Sequence, residues 1–329
     1  MRTAVHSWES STQNTVAVAR AVDLLRRGET VALPTETVYG LAADALNPEA
    51  VARIFEVKLR PLFNPLIVHL PQREWLERIA RLRKEDHQLV EQLIGRFWPG
   101  PFTIVLPRRS IVPDIVTAGL ETVAVRMSSH PTFAAIIGAF NLPLAAPSAN
   151  RFGRISPTTG LHVLEELEGL IPMIIDAGPT THGLESTIVT VRDGQINILR
   201  SGPVTKEQLE NYGKVTLVTA ADRISAPGQL LTHYAPRTPL LLIDNAKKFS
   251  PPAGQEVGLL AWRRVQTEEK YAAIRRLSQR HNLRDAAANL FRQLRELDAM
   301  ELDLIVAEQV PEEGLGVAIM DRLRRAAGK

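Results

Sequence analysis

The chain has 329 residues, a length that predicts two domains, because single domains commonly contain about 100–200 residues. Hydrophobic residues make up 45% and charged residues 23%, which excludes a disordered or collagen-like chain, and the lack of cysteine excludes disulfides, thiolate-bound zinc, iron–sulfur clusters and a cysteine nucleophile. The net charge of +3 is a mild basic excess, compatible with an anionic ligand without requiring nucleic acid.

The sequence carries no pattern for export or membrane insertion. No apolar run of the ~7–15 residues typical of a secretory signal follows the N-terminus. The most apolar helical segment, 134–140, is far shorter than the ~20 residues that span a bilayer. The sequence therefore predicts a cytoplasmic protein without membrane association.

Helices and strands alternate through residues 1–216. A helix over 14–27 is predicted because apolar side chains recur at helical spacing and Gly28 is a suitable helix end. The elements predicted after it are a strand over 30–33, a helix over 47–58, a strand over 66–70, charged helices within 72–97, and strands over 102–106, 123–126, 173–176, 186–191 and 196–199. Several strands are apolar on both faces, which indicates an α/β domain whose sheet is covered by helices.

The composition changes at 217–239, which lacks periodicity and contains several prolines. This stretch is predicted to be a linker stiffened by proline. Residues 240–329 are predicted to form a smaller α/β domain with a parallel sheet, because strands again alternate with helices. Its predicted elements are strands over 240–243, 257–261 and 304–307 and helices over 268–281, 285–300 and 317–327.

Common nucleotide-binding and hydrolase motifs are absent from the sequence. There is no Gly-x-x-x-x-Gly-Lys phosphate loop, no His-Glu-x-x-His and no Gly-x-Ser-x-Gly. Gly314 and Gly316 lack the third glycine of a dinucleotide fingerprint, since Ile319 stands in its place, and the pair favours a turn at a helix entry. P-loop, dehydrogenase and common hydrolase chemistry therefore have no support.

Four polar segments remain as candidates for a binding site. Segment 34–41 places hydroxyls and a glycine directly after a strand, where open α/β sheets bind ligands, although a proline-initiated turn uses the same residues. Segment 58–65 holds two cations between prolines, which suits a polyphosphate, but cations also pair with a helix C-terminus. Segment 145–159 suits an anion or is a long surface loop, and segment 183–187 enters a strand.

Two strand residues stand out from their apolar neighbours. Arg126 is a lone charge, and a buried arginine needs an anionic partner, which is either a protein carboxylate or a ligand carboxylate. His69 also lies on a predicted strand, where a histidine is more often a satisfied core residue than a catalyst.

Taken in order, the motifs resemble a known family. They are Pro-Thr-Glu-Thr-Val-Tyr-Gly-Leu at 34–41, Lys-x-Arg-Pro at 58–61, Asn-Pro-Leu-Ile-Val-His at 64–69, Pro-Ser-Ala-Asn at 147–150, Ser-Pro-Thr at 156–158 and Glu-Ser-Thr-Ile-Val at 185–189. This series resembles the YrdC-type family, and His-Tyr-Ala-Pro at 233–236 resembles its two-domain branch, the threonylcarbamoyl-AMP synthases. The resemblance implies a YrdC-like twisted mixed sheet with helices, followed by a smaller Rossmann-like parallel α/β domain.

The resemblance also implies an activity. Members of the branch are nucleotidyltransferases that condense L-threonine, bicarbonate or CO2 and ATP to threonylcarbamoyl-adenylate, pyrophosphate and water. The product is expected to pass to a downstream transferase complex that forms threonylcarbamoyladenosine in tRNA, and a weak direct contact with tRNA is an additional hypothesis. Mg²⁺ is expected to arrive on the triphosphate, because this ion often binds substrate oxygens and keeps its waters.

The family's site residues carry over onto matching positions of this sequence. Those implied to bind L-threonine are Thr37, His69, Arg126, Ala146 (through its backbone) and Ser186. Those implied to bind ATP are Lys58, Arg60, Asn64, Thr122, Ser148, Asn150, Ser156, Arg200 and Tyr234. Within these sets, Arg126 is expected to pair with the threonine carboxylate, Lys58 to neutralise phosphate and Asn150 to shape its loop.

Tyr234 lies in the predicted linker and is also implicated at the nucleotide. The linker is therefore expected to cross the mouth of the site as a lid that excludes water from the labile mixed anhydride. No covalent protein nucleophile is expected, because positioning and charge neutralisation can supply much of the rate.

The alternative interpretation is a non-enzymatic RNA-binding module of the same fold. A basic stripe for RNA would consist of Arg73, Arg78, Arg81, Arg83 and Lys84. Acidic residues are interleaved with these cations, which argues against a strong phosphate-binding surface.

Overall fold

A computed structural model describes residues 2–9, 11–218, 234–263 and 268–328. The strands of these residues form an eleven-stranded sheet followed by a four-stranded sheet, and helices pack on both. The predicted α/β class and the predicted smaller parallel sheet are confirmed. None of the described helices has the length and apolar character needed to cross a membrane.

The large sheet mixes parallel and antiparallel pairs. Its strands are Ala4–Ser7 (β1), Val31–Leu33 (β2), Gly40–Asp44 (β3), Ile67–His69 (β4), Phe102–Pro107 (β5), Thr122–Arg126 (β6), Leu144–Ala145 (β7), Met173–Asp176 (β8), Thr187–Arg192 (β9), Gln195–Arg200 (β10) and Val215–Leu217 (β11). Their spatial order is β1-β8-β2-β3-β7-β4-β6-β5-β9-β10-β11. Strand β6 pairs in parallel with β4 and antiparallel with β5, which makes the centre of the sheet mixed.

Helices pack on this sheet, and the second of them has a clear local signal at each end. They are Ser11–Arg26 (α1), Pro48–Lys58 (α2), Trp75–Ile79 (α3), His87–Phe97 (α4), Asp114–Thr117 (α5), Pro131–Phe140 (α6), Gly160–Leu167 (α7) and Lys206–Leu209 (α8). Helix α2 begins where the Asn47 side chain accepts hydrogen bonds from two backbone N–H groups, and it ends where Leu59 takes a left-handed conformation with φ 53°. The chain turns sharply at this end, and the Arg60 that follows is buried.

Both faces of the strands β2 and β3 are covered. Ala32 and Leu41 belong to the apolar cluster that contains residues of α2, whereas Val31, Leu33 and Ala42 belong to the cluster that contains residues of α1 and α6. Successive side chains of a strand point to opposite faces, so two helical layers bury nearly every residue of these strands.

The C-terminal part, residues 240–328, contains the small sheet. Its strands are Leu240–Ile243 (β12), Val257–Ala261 (β13), Ala273–Arg276 (β14) and Leu304–Glu308 (β15), all parallel, in the order β12-β15-β13-β14. Its helices are the 3-10 helix Glu268–Lys270 and the α-helices Leu283–Asp298 (α9) and Leu315–Ala326 (α10).

One prediction for this part is wrong. A helix was expected over 268–281, but the structure has a short 3-10 helix and then the edge strand β14. Arg275 and Arg276 of this edge strand are partly exposed and exposed, respectively. Their charge makes the segment resemble a solvent-exposed helix in sequence. The domain limits 1–216, 217–239 and 240–329 stay predictions, and most of the expected linker, 219–233, lies outside the described residues.

The two sheets are joined through one apolar cluster. Ile155 and Leu184 from loops of the large sheet pack in the same cluster as Phe291 of α9 and Ile319 of α10. The approach is closest at Gly183, whose φ is +67°, because a Cβ there would lie 2.6 Å from the backbone of α9. The C-terminal helices are therefore packed directly against the loop that precedes β9.

Glu308 ends β15, and its side chain is fully buried. One carboxylate oxygen accepts a hydrogen bond from the backbone N–H of Ala246 at 2.9 Å. The other accepts from the N–H groups of Trp262 and Arg263 at 2.9 and 2.8 Å. Because these donors follow β12 and β13, one side chain ties together the carboxyl ends of three neighbouring strands.

The Glu308→Gln variant is expected to lose about 2–4 kcal/mol of unfolding free energy, since an amide offers one acceptor oxygen and leaves buried N–H donors unpaired. Urea unfolding followed by circular dichroism measures this loss. The matched control is Glu312→Gln, an exposed carboxylate, which is expected to change stability by less than about 0.5 kcal/mol. Equal stability of both variants would contradict the role given to Glu308.

Candidate active site

A cavity opens on one face of the large sheet, where β4, β6, β9 and β10 meet the loops that follow β2 and β7. Its lining residues are Thr37, Val38, Arg60, Ile67, His69, Arg126, Ala146, Pro147, Ser148, Glu185, Ser186, Arg200 and Tyr234. All five residues expected at L-threonine line it, as do Arg60, Ser148, Arg200 and Tyr234 from the set expected at ATP. Segments that are distant in sequence are therefore brought together in one cavity.

Strand register places the central side chains. His69 on β4 lies opposite Arg126 on β6, and Arg126 lies opposite Thr103 on β5. The Thr103 hydroxyl is 2.8 Å from the hydroxyl of Ser186, which precedes β9. Arg200, at the end of β10, donates to the Ser186 hydroxyl at 3.1 Å. A row of polar side chains thus runs from β4 across β6 and β5 to Ser186 and the end of β10.

The loop between β2 and β3 is shaped by its own hydroxyls. The Thr35 hydroxyl donates to the carbonyl of Val38 at 2.7 Å and accepts from the backbone N–H of Thr37 at 3.1 Å. The Thr37 hydroxyl, 2.8 Å from that of Thr35, faces the cavity. Both interpretations of segment 34–41 are therefore compatible, because Thr35 stabilises the turn while Thr37 faces the cavity.

The Arg126 guanidinium is buried and makes three hydrogen bonds. It donates to the carboxylate of Glu36 at 2.6 Å, to the hydroxyl of Thr37 at 3.0 Å and to the carbonyl of Gly100 at 3.1 Å. The Ser128 hydroxyl donates to the other oxygen of Glu36 at 2.5 Å. Burial alone would raise the pKa of Glu36, but Arg126 and Ser128 outweigh it and lower this pKa to about 2. The structure therefore supplies Arg126 with a protein carboxylate.

His69 is buried, and its ring packs against Phe133 with centroids 4.7 Å apart. Burial, together with the neighbouring Arg126 cation, lowers the pKa of His69 to about 3. Its Nδ1 is buried without a hydrogen-bond partner among the described residues. The imidazole is thus neutral at physiological pH and offers the cavity a polar group without charge.

Arg60 is a buried cation held by neutral groups. Its Nε donates to the carbonyl of Asn64 at 3.1 Å, and its Nη2 donates to the carbonyl of Pro65 at 2.8 Å. Burial, with the nearby Arg200 cation, lowers the pKa of Arg60 to about 9. Since both cations line the cavity, an anionic ligand there would be strongly favoured.

Glu185 is a site residue that the sequence analysis did not single out, although it lies in the Glu-Ser-Thr-Ile-Val motif. Its carboxylate is buried and accepts a hydrogen bond from the Ser156 hydroxyl at 2.5 Å and another from Arg322 at 3.0 Å. Ser156, expected at ATP, therefore reaches the cavity wall through Glu185. Its position directly before Ser186 is the signal that could have identified Glu185.

Lys58 is not among the residues that line this cavity, and its expected role at phosphate stays a prediction. Its Nζ donates to the backbone carbonyls of Ser148 and Asn150 at 2.6 and 2.5 Å. Burial, with the neighbouring Arg60 cation, lowers the pKa of Lys58 well below its usual value. The Asn150 amide in turn donates to the carbonyls of Arg151 and Arg154, both at 2.8 Å, so it shapes its loop in the expected manner.

Two further residues expected at ATP, Asn64 and Thr122, are not among those that line the cavity. Asn64 is buried, and neither polar atom of its side chain has a hydrogen-bond partner among the described residues. Thr122 begins β6 on the same face as Arg126, with Ala124 between them. The structure does not bring Thr122 to the cavity wall.

The sequence analysis also missed an apolar surface next to the cavity. The side chains of this apolar floor are Ile67, Val105, Ala124, Ile188 and Leu199. Ile67 lines the cavity as well, so the floor continues the cavity along the same sheet face. Five strands each contribute one of these side chains, so no single segment of the sequence reveals the surface.

Tyr234 brings the end of the predicted linker to the cavity. Its ring is buried and stacks on Phe291 of α9 with centroids 5.5 Å apart. The next residue, Ala235, donates its backbone N–H to the carbonyl of Gly153 at 2.9 Å. Residues 219–233, the rest of the predicted lid, lie outside the described residues.

Within the described residues, no three histidine or carboxylate side chains are grouped so that they could hold a metal ion. The charged groups of the cavity are instead Arg60, Arg126, Arg200 and Glu185. The arrangement can bind anions, orient uncharged polar groups and bury an apolar ring.

Comparisons with known proteins agree with this geometry. A family profile described as "Telomere recombination", which covers the Sua5, YciO and YrdC proteins, matches residues 23–202. A profile described as "Threonylcarbamoyl-AMP synthase, C-terminal domain" matches residues 204–328. A relative named threonylcarbamoyl-AMP synthase, from Bacillus subtilis strain 168, is 42% identical over 333 residues, which cover 96% of this chain and 94% of the relative.

Solved structures give the same result. Sua5 from Pyrococcus abyssi complexed with L-threonine is 36% identical, with a TM-score of 0.87 over 99% of this chain and 98% of that chain. A Pyrococcus abyssi Sua5 variant, with alanine in place of an adjacent histidine and tyrosine, has a TM-score of 0.89 and 36% identity over 99% of this chain and 96% of that chain. The resemblance inferred from the motifs is confirmed.

The Glu36–Arg126 pair predicts an acid-sensitive contribution to stability. The pKa of Glu36 is about 2 in the folded chain against 4.5 for the free side chain, so its contribution is complete above pH 4.5 and is lost as the pH falls towards 2. The full contribution corresponds to about 3 kcal/mol. Urea unfolding between pH 6 and 3 is expected to show a shallower loss of stability for Glu36→Gln than for the wild type.

The control is Glu121→Gln, since the Glu121 side chain is 92% exposed. Its pH dependence of stability is expected to match that of the wild type. If the unfolding free energies of Glu36→Gln and the wild type depended on pH in the same way, the stabilising role of the Glu36–Arg126 pair would be contradicted.

Proposed function

The chain belongs to the family of threonylcarbamoyl-AMP synthases, enzymes of adenylyl transfer, and we propose that the cavity of the large sheet is where the adenylate forms. The reaction joins L-threonine, bicarbonate or CO2 and ATP and releases pyrophosphate and water. The observation that carries the proposal is that the motif residues, from Thr37 to Tyr234, converge on one cavity and include the buried cations Arg60 and Arg200.

L-Threonine is assigned to the side of the cavity formed by β4, β6 and the loop after β2. Arg126 has five N–H donors, and its contacts with Glu36, Thr37 and Gly100 use three of them, so it can still receive the substrate carboxylate. Ser186 and Ala146 also line the cavity and are assigned to the same substrate. The structure of the relative with bound L-threonine supports this assignment.

The threonine amine must be neutral to attack the carbonate carbon. His69 suits this requirement, because its pKa of about 3 keeps the imidazole neutral. A neutral ring adds no positive charge beside the amine, and its free ring nitrogen can accept an amine hydrogen. His69 thus acts by orienting the amine, without a covalent step.

ATP is assigned to the opposite side. Arg60 and Arg200 are placed to neutralise the phosphates, and the apolar floor offers a surface for the purine ring. The Asn64 amide has no hydrogen-bond partner among the described residues and is available for a hydrogen bond to ATP. ATP would bring its own Mg²⁺, which commonly binds phosphate oxygens.

In this arrangement the carbamate oxygen of the substrate attacks the α-phosphorus of ATP, and pyrophosphate leaves. Holding the two reactants in line is worth about 7–11 kcal/mol of the barrier. The buried cations stabilise the charge that shifts to pyrophosphate. A cytoplasmic location and transfer of the product to a tRNA-modifying complex are part of the same proposal.

The RNA-binding alternative receives less support. Arg73 pairs with Glu91, and the Arg78 guanidinium lies 3.8 Å from the centre of the Trp75 ring. Part of the basic stripe is therefore engaged within the protein. Weak contact with tRNA stays a prediction.

The proposal is tested by measuring pyrophosphate release from the purified chain. Release is expected only when L-threonine, bicarbonate and ATP with Mg²⁺ are all present. The Arg60→Met variant is expected to lower kcat/KM for ATP by about a hundredfold or more, because a charge-assisted contact to phosphate is lost. The matched control is Arg53→Met, an exposed arginine of α2 that pairs with Glu29, for which wild-type turnover is expected.

A folded wild-type chain that releases no pyrophosphate with all three substrates present would refute the proposed function. Wild-type kcat/KM for ATP in Arg60→Met would refute the assignment of the ATP phosphates to the part of the cavity beside Arg60.

Tyr234 is expected to protect the product. In Tyr234→Ala, water reaches the mixed anhydride, so the yield of intact threonylcarbamoyl-adenylate per pyrophosphate is expected to fall about fivefold or more, with a smaller change in the Kd for ATP. Tyr234→Phe keeps the stacking on Phe291 and is expected to keep the yield. Rapid quenching followed by chromatography measures the product, and an unchanged yield for Tyr234→Ala would remove the lid.

A further inference from the structure

Arg322, on α10 of the C-terminal part, lies in the interface with the large sheet. Its side chain is only 1% exposed. Nε donates to Glu185 at 3.0 Å, and Nη1 donates to Asp321 of the same helix at 2.7 Å. The guanidinium carbon is 5.3 Å from the centre of the Tyr234 ring. One arginine therefore contacts two residues that line the cavity.

The contact between Arg322 and Glu185 determines the direction of the hydrogen bond between Glu185 and Ser156. Burial disfavours the charged form, but Arg322 and Arg200 hold the pKa of Glu185 below its usual value. An ionised carboxylate only accepts hydrogen bonds, so the Ser156 hydroxyl must donate its single proton to Glu185. The Ser156 oxygen is then restricted to accepting hydrogen bonds from any other partner.

Loss of Arg322 would remove this restriction. Without Arg322 the buried Glu185 loses one of the two cations that lower its pKa, so it takes up a proton more readily, and a protonated Glu185 can donate to Ser156 instead of accepting. The hydroxyl of Ser156 would then be able to reverse its direction. The cavity wall would therefore change its hydrogen-bonding pattern although no residue of the wall had been replaced.

The Tyr234 ring is held from two sides by the same part of the chain. Phe291 stacks on it with an interplanar angle of 27°, and Arg322 stands against it as a cation near an aromatic ring. The backbone of Tyr234 has a φ of +65°, an uncommon conformation for a tyrosine that such packing can hold in place.

We propose that Arg322 is a positioning residue for adenylate formation, and that through Glu185 and Tyr234 the C-terminal part controls the nucleotide side of the cavity. This inference rests on the proposed function. Arg322 touches neither substrate in this arrangement; it fixes the residues that do. Its effect is expected on ATP and not on L-threonine, since Arg126 and His69 lie on the other side of the cavity.

The test combines a double-mutant cycle with separate measurements for the two substrates. The variants are Arg322→Met, Glu185→Gln and the two combined, with Arg324→Met as the control from the exposed face of α10. Each is assayed for pyrophosphate release at a temperature where circular dichroism shows it folded. Calorimetry gives the Kd for ATP and for L-threonine.

Arg322→Met is expected to lower kcat/KM for ATP about tenfold or more and to leave the Kd for L-threonine within about twofold of the wild type. The combined variant is expected to be within about threefold of Glu185→Gln, because the two residues act as one unit. Arg322→Lys keeps a cation beside Glu185 and is expected to recover most of the loss. If Arg322→Met does not fold, Arg322→Gln replaces it, with the same expected loss of kcat/KM for ATP.

The proposal is overturned if Arg322→Met keeps kcat/KM for ATP within about twofold, or if ATP and L-threonine lose affinity in equal proportion. Multiplicative losses in the combined variant would equally show that Arg322 does not act through Glu185. If the wild type itself releases no pyrophosphate, the proposed function fails, and the Kd for ATP alone then decides whether Arg322 controls the nucleotide side.

Discussion

The cost of burying charge governs the architecture of this cavity. Water would stabilise these ions if they were exposed, so each buried one must find a partner in the protein or in a ligand. Arg126 finds Glu36, and Glu185 finds Arg322. Among the described residues Arg60 donates to the backbone carbonyls of Asn64 and Pro65, and neutral carbonyls compensate a cation incompletely. The remaining positive charge lies where the triphosphate is proposed to bind, which explains how a chain with a net charge of only +3 can attract a highly charged substrate.

Strand register converts a scattered set of motifs into one surface. His69, Arg126 and Thr103 lie on neighbouring strands at matching positions, and loops after β2 and β7 close the cavity above them. Since these strands are packed by helices, their side chains are held without the freedom of a surface loop. The sheet therefore offers rigid placement of two substrates. This supports the proposal that the reaction proceeds without a covalent bond between the protein and a substrate.

The sequence predicted the helices and strands that have a strong hydrophobic pattern. It did not predict the contacts that depend on residues distant in the chain. Most strands of both sheets were predicted, whereas β3, made of small residues at Gly40–Asp44, has few strand-forming side chains. The motifs identified most of the cavity. They did not show that Lys58 donates to Ser148 and Asn150 carbonyls, because this contact depends on a loop ninety residues away. The Glu185–Arg322 pair could not be predicted for the same reason. Glu185 precedes β9 of the large sheet, whereas Arg322 lies on α10 beside the small sheet.

The carboxylate of Glu308 gives the C-terminal part its own internal anion. Ligand phosphates commonly dock beyond the carboxyl ends of parallel strands, where free backbone N–H groups gather. Here the N–H groups of Ala246, Trp262 and Arg263 are already saturated by Glu308. At this edge of the small sheet a side chain of the same chain therefore occupies the place where a ligand phosphate would otherwise bind. The helix α10, which carries Arg322, is then the element through which the C-terminal part is proposed to act on the cavity.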